Sequence, residues 1–181
     1  ANPPIAPKPV DSQPDYILEK LARWGMSDAQ FQMGQYSFDQ QHYRAAIDWY
    51  RQSLSKKKYK KEAEYNIGAS YFNLSTDTKD SLEAHDLLEK SAQYHFPYAL
   101  FKLGQDYFDH EQYQASIDCF LKIMSNTDLK DSARYNISAA YWNLAVEAKN
   151  NEEAHIFFEK SAQYGNKKAV KQLNNNNMTG A

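Results

Sequence analysis

The sequence is short of the residues that cross-link or interrupt a chain. Its 181 residues include one cysteine, Cys119, so neither an intrachain disulfide nor a cysteine-based metal cluster can form. Glycine and proline number six each, and four of the prolines (Pro3, Pro4, Pro7, Pro9) fall within the first ten residues. From Asp15 to Leu173 helix breakers are scarce, which disfavours an all-β fold with its frequent Gly/Pro turns. No apolar run approaches the roughly 18 residues of a membrane helix, so membrane insertion is not expected. An excess of one charge is also lacking. The net charge of −2 removes the simplest electrostatic case for nucleic acid, and none is expected as a partner. Gly-rich phosphate loops, nucleophile elbows and paired-carboxylate motifs are missing too, so no catalytic residues and no cofactor are expected.

What is present is a repeat. Hydrophobic residues make up 42% of the chain and charged residues 24%, a balance that suits one globular domain with a sizeable core. Ala63-Glu-Tyr-Asn-Ile-Gly-Ala-Ser-Tyr-Phe-Asn-Leu74 recurs 70 residues on as Ala133-Arg-Tyr-Asn-Ile-Ser-Ala-Ala-Tyr-Trp-Asn-Leu144. Ala84-His-Asp-Leu-Leu-Glu-Lys-Ser-Ala-Gln-Tyr94 recurs at the same offset as Ala154-His-Ile-Phe-Phe-Glu-Lys-Ser-Ala-Gln-Tyr164. Each block is itself double, because Gly34, Gly68, Gly104 and Ser138 stand 34, 36 and 34 residues apart. Four units of about 35 residues signal a helical solenoid.

Each unit reads as two helices, A and B. Ala63, Ile67, Ser70, Tyr71 and Leu74 form one helical stripe, and Ala84, Leu87, Leu88, Ser91 and Ala92 form its partner's. Asp80 and Glu83 have capping-box spacing, and Lys149-Asn-Asn151 repeats that turn in the fourth unit. The glycines are expected where helices approach too closely for a Cβ, with Ala46, Ala84, Ser116 and Ala154 as the small residues opposite. Asp15 to Trp24, ended by Gly25, reads as a capping helix before the repeats. Asn166 to Leu173 reads as a second cap after them. The expected organisation is a Pro-rich disordered segment over 1–13, a repeat domain over 14–174 and a disordered tail over 175–181.

These residues resemble the tetratricopeptide superfamily, and more closely its SEL1-like branch. The resemblance rests on Ala29-Gln-Phe-Gln-Met-Gly34 with Trp49-Tyr50, on Glu159-Lys-Ser-Ala-Gln-Tyr-Gly165 running to Ala169, and on Glu89-Lys-Ser-Ala-Gln-Tyr-His-Phe-Pro-Tyr-Ala99. It covers about residues 22 to 173. It implies an all-α, right-handed solenoid whose A helices line a concave groove for peptides or partner proteins. It also implies a non-catalytic adaptor or scaffold of the bacterial kind that serves secretion, envelope or host-interaction pathways.

Within that implied groove, two rows of residues are candidates. Two positions before the small residue stand Gln32, Asn66, Lys102 and Asn136, and five after it stand Asp39, Asn73, Asp109 and Asn143. Residues seven apart share a helix face, so Asn66 with Asn73 and Asn136 with Asn143 could read an extended backbone. Solvated consensus asparagines account for them equally simply. Asp39 and Asp109 would favour a basic residue on the partner, and Lys102 is the lone cation of the row. Phe38, Phe72, Phe108 and Trp142 form an equivalent aromatic row that fits either partner anchors or inter-repeat core. Phe31, Tyr65, Phe101 and Tyr135 read as core.

The remaining features read as ordinary surface or interior. Lys56-Lys-Lys-Tyr-Lys-Lys61 is expected to be a solvated inter-helix loop, and Cys119 a buried small hydrophobe. His85 and His155 fall in separate repeats and His42 and His110 lack ligand spacing, so no metal is expected. Self-association in a secretion or envelope assembly stays open beside the adaptor reading. The Pro-rich start without an initiator Met tips the expected location slightly towards export to the periplasm.

Overall fold

The computed structural model describes residues 16–179, with side chains through Asn175. The expected segment 1–13 and residues 180 and 181 lie outside the described residues. Among the described residues every regular element is helical. The leading helix α1 is Tyr16–Arg23. Four helix-turn-helix repeats follow. They are α2 (Ser27–Asp39) with α3 (Tyr43–Ser53), α4 (Lys60–Asp77) with α5 (Ser81–Gln93), α6 (Pro97–Asp109) with α7 (Tyr113–Leu121), and α8 (Lys130–Glu147) with α9 (Asn151–Gln163). A last helix, α10, spans Lys167–Thr179. The fold is thus all-α, four helical repeats between two flanking helices.

Local chemistry sets the boundaries. The Asp80 carboxylate accepts from the Glu83 amide at 2.8 Å, and the Asn150 side chain does the same for Glu153 at 2.8 Å, so both expected caps form. Helix ends close with paired backbone bonds around one left-handed residue, as at Gly165, whose amide donates to the Ala162 carbonyl while Asn166 donates to Ser161. Gly25 (φ 88°) and Gly165 (φ 100°) take that conformation without a Cβ penalty, whereas Gln41, His95 and Glu111 take it with one. Gln41 and Glu111 are 70 residues apart, so the duplication kept the strained turn as well as the helices.

The chain divides at Ala99/Leu100 into two compact parts. In the first, α1 packs on α2, α2 on α3, α3 on α4 and α4 on α5. Its interior is small and aromatic. Gly34 faces the ring of Tyr50, where an added Cβ would stand 2.6 Å from Cδ1. Gly68 faces Phe96, whose Cβ would lie 2.8 Å from an added one. In the second part α7 packs on α8, α8 on α9 and α9 on α10. Here Gly104 faces the buried ring of Phe120 at 2.8 Å.

On the B helices, Ala46 and Ser116 are fully buried as expected, but Ala84 and Ala154 are only half-buried. Ser91 and Ser161 make the close approach in their place. The Ser91 hydroxyl donates to the Gly68 carbonyl at 2.6 Å, and Ser161 donates to the Ser138 carbonyl at 2.7 Å. Ser116 donates to the Gly104 carbonyl at 2.7 Å in the same way. A second difference lies at the C-terminus. The tail expected from residue 175 is helical as far as Thr179, because the asparagine run contains no glycine or proline to stop α10 before Gly180.

Of the expected loop Lys56–Lys61, Lys56 to Tyr59 form the turn between α3 and α4, with a single 3-10 turn over Lys57–Tyr59, while Lys60 and Lys61 begin α4. Lys56 pairs with Asp28 at 3.1 Å, and the Tyr59 ring stacks on Phe31 at 4.6 Å. Cys119 is buried, and burial pushes its thiol pKa up.

Gly68→Ala is expected to cost about 1–3 kcal/mol by overpacking, partly offset by about 1 kcal/mol of helix propensity. The offending atom is the backbone-anchored Cβ of Phe96, which cannot swing aside. Ser138→Ala, where a Cβ already exists, adds no overpacking; it loses only the hydroxyl's bond to the Tyr135 carbonyl, about 0.5–1 kcal/mol, which alanine's better helix propensity largely offsets. Urea denaturation of both variants checks this, and equal losses would contradict it.

Candidate functional site

In the first part the candidate residues serve mainly as packing. Phe38 is 4% exposed and meets Tyr43 edge-on at 5.4 Å, so it anchors the α2–α3 turn and offers no surface to a partner. Phe72 is half-buried against Phe96 and Tyr98, at 5.4 and 6.5 Å. Asn66 hydrogen-bonds the Tyr50 hydroxyl, and Asn73 hydrogen-bonds that of Tyr43. Each asparagine of α4 thus ties α3 of the preceding repeat. Asp39 is half-buried, and burial lifts its carboxyl above the ordinary value.

The second part copies this scheme with one change. Asn143 hydrogen-bonds the Tyr113 hydroxyl, as Asn73 does Tyr43 seventy residues earlier. Asn136, however, donates to the Ser132 carbonyl of its own helix at 2.8 Å. The equivalent of Tyr50 is Phe120, which has no hydroxyl to offer. Phe108 lies edge-on to Tyr113 at 5.4 Å and Trp142 edge-on to Phe158 at 5.1 Å, both half-buried. Lys102 and Asp109 are exposed.

Two cavities open on either side of Tyr135. One, of ≈330 Å³, brings together the expected Phe108, Trp142 and Asn143 with Tyr135, Asn166, Lys167 and Lys168. The other, of ≈540 Å³ and more open, is lined by Tyr135, the expected Asn136, Phe101 and Asp131. Lys102 and Asp109 line neither cavity. Tyr65 and Tyr135 were both expected in the core, but Tyr65 is 37% exposed and Tyr135 is 72% exposed.

The offset of 70 explains the difference. In the first part the equivalent Tyr65 meets Phe96 edge-on at 5.2 Å, and Phe96 is 2% exposed. Its counterpart in the second part is Asn166, whose side chain instead accepts from the Lys168 and Ala169 amides at 3.0 and 3.3 Å. Pro97 and Tyr98 are likewise replaced by Lys167 and Lys168. With no ring at position 166, Tyr135 stays uncovered and the slot beside Trp142 stays open. Sequence reasoning missed Tyr135, Phe101, Asn166, Lys167 and Lys168 as lining residues. The mismatch of Phe96-Pro-Tyr98 with Asn166-Lys-Lys168, within otherwise matching blocks, was the signal that could have found the slot.

Among the described residues, no group of three or more His, Cys, Asp or Glu side chains comes together, and no helix is long and apolar enough to cross a membrane. His85 and His155 each face a glutamate one turn on, Glu89 at 3.5 Å and Glu159 at 3.4 Å.

No family model matches the chain, and no match was found among curated proteins. Among solved structures it is similar to two crystal structures of MamA. One is 20% identical, with 84% of this chain and 87% of that chain covered and a TM-score of 0.44. The other is 21% identical, with 84% and 81% covered and a TM-score of 0.43. At that distance the likeness says nothing of partners or activity.

Burial raises the phenol pKa of Tyr43, Tyr50, Tyr113 and Tyr141 above the ordinary 10.0. A folded-state value above the unfolded one means the folded chain holds these protons longer. Their contribution to stability is therefore complete below pH 10.0 and is lost as pH rises beyond it. A spectrophotometric titration should show these four phenols ionising together with alkaline unfolding, later than the exposed tyrosines. Simple titration of all the tyrosines near pH 10.0 in a folded chain would contradict the burial.

Proposed function

We propose that the chain is a non-catalytic protein-interaction module, an adaptor or scaffold of the SEL1-like, tetratricopeptide kind serving a bacterial host. One observation carries the reading. Tyr135, a large ring at a position that Phe31 buries in the first repeat, stands exposed between two open cavities. Exposed aromatics beside concave, partly apolar surface are the usual anchors of protein recognition. In this reading Trp142 and Phe108 supply the wall of the slot, and Asn136 and Asn143 use their remaining donors and acceptors on a partner backbone. Phe72, Asn66 and Asn73 play the lesser part in the first repeats, since Phe96 of the chain itself fills the groove beside Phe72. Asp39, Lys102 and Asp109 add only peripheral charge.

The test is an affinity capture with the wild-type chain and with Tyr135→Ala/Asn136→Ala. Tyr135 is exposed, so the variant should keep its fold. A protein partner retained by the wild type and lost by the variant is expected. Equal recovery would move the site elsewhere. A mass that rises with concentration in the wild type and stays monomeric in the variant would mean a self-assembling subunit in place of an adaptor.

A further inference from the structure

The internal duplication supplies a filled and an empty version of the same slot. In the first part, the groove beside Tyr65, Gly68 and Phe72 holds Phe96 of the chain itself, 5.2 Å from Tyr65 and 5.4 Å from Phe72. In the second part the groove beside Tyr135, Ser138 and Trp142 holds no ring, and a cavity of ≈330 Å³ takes its place. The walls have kept their aromatic character: Tyr65 and Phe72 correspond to Tyr135 and Trp142. The plug differs, Phe96 against Asn166, and so does the rim beside it. A slot whose walls are aromatic and whose rim is polar is suited to a planar side chain, and Phe96 shows the geometry such a ring adopts.

The rim specifies the rest. Lys167 and Lys168 replace Pro97 and Tyr98, are both exposed, and form no ion pair with a described residue. Among the described residues they are the only charged side chains lining the cavity. Arg134 adds positive charge nearby, donating to the Tyr164 and Gln163 carbonyls at 3.3 and 3.5 Å. An aromatic ring entering here brings its flanking residues against two free ammonium groups, which favours carboxylates and repels cations.

We infer that the slot between Tyr135 and Trp142 docks a partner protein through a short acidic segment carrying one aromatic side chain, with the ring taking the place of Phe96 and the carboxylates facing Lys167 and Lys168. This deepens the reading of the chain as an interaction module and rests on it.

Fluorescence anisotropy with the full chain tests it, using labelled twelve-residue peptides of Glu, Ser and Gly around one central Phe. Companion peptides have the Phe replaced by Ala, or the glutamates replaced by lysines. Saturable binding of the acidic Phe peptide is expected, weakening as salt is raised. Binding should fall roughly tenfold or more with either companion peptide, with Tyr135→Ala, and with Lys167→Glu/Lys168→Glu. The double variant Ser138→Gly/Asn166→Phe rebuilds the plugged slot of the first part and should bind no peptide while remaining folded.

Absence of saturable binding up to about 1 mM would overturn the inference, as would equal binding of the lysine peptide or full binding by the plugged variant. If the plugged variant lowers the mass of a self-associated wild type, a second copy occupies the slot and the inference also fails. A protein captured equally by the plugged variant and the wild type would refute the slot and leave the module reading standing. The absence of any captured protein would count against the module reading itself.

Discussion

The spacing between neighbouring helices is set by a small residue midway along each A helix, and much of the rest of each repeat is arranged around it. At Gly34, Gly68 and Gly104 an aromatic side chain lies where a Cβ would be, 2.6 to 2.8 Å from it. A serine hydroxyl from the B helix reaches the carbonyl of the same residue in three repeats, at Gly68, Gly104 and Ser138. The two contacts make the approach close and polar-satisfied at once. They replace water at a helix carbonyl with a buried donor and fill the freed volume with a ring. Glycine's helix cost of about 1 kcal/mol per position is the requirement of that geometry.

A second layer of polar ties joins successive repeats within each part. Tyr43 with Asn73 and Tyr113 with Asn143 are the same bond in two copies, and Tyr50 with Asn66 is a third, absent from the second copy, where Phe120 stands at the place of Tyr50. Buried phenols require such partners. This accounts for Asn66, Asn73 and Asn143 by a structural reason independent of any ligand, whereas Asn136 bonds the Ser132 carbonyl of its own helix.

Much of this was legible in the sequence. The fixed offset of 70, the period near 35 and the capping-box turns at Asp80 and Asn150 gave the helices and their order, because periodicity and capping are local properties. Which side chains point outward was less legible. Burial of Phe38 by Tyr43, or exposure of Tyr135 for want of a ring at 166, depends on which residue of another helix arrives at that place. The same holds for Ser91 and Ser161 acting where Ala84 and Ala154 were expected, since all four lie on plausible helix faces. Comparing the two copies residue by residue recovers part of that information. Where Phe96-Pro-Tyr98 gives way to Asn166-Lys-Lys168, the copies have changed from a self-filled groove to an open one.

The most direct test of this account is a two-dimensional NMR titration that follows the Trp142 indole N–H while the acidic Phe peptide is added. The account predicts that this resonance and the backbone amides around Tyr135 and Lys167 shift and saturate together, with the equivalent positions around Phe72 and Tyr65 unmoved because Phe96 already fills their slot. Shifts centred on Phe72, or a Trp142 indole that stays still while the peptide binds, would contradict it.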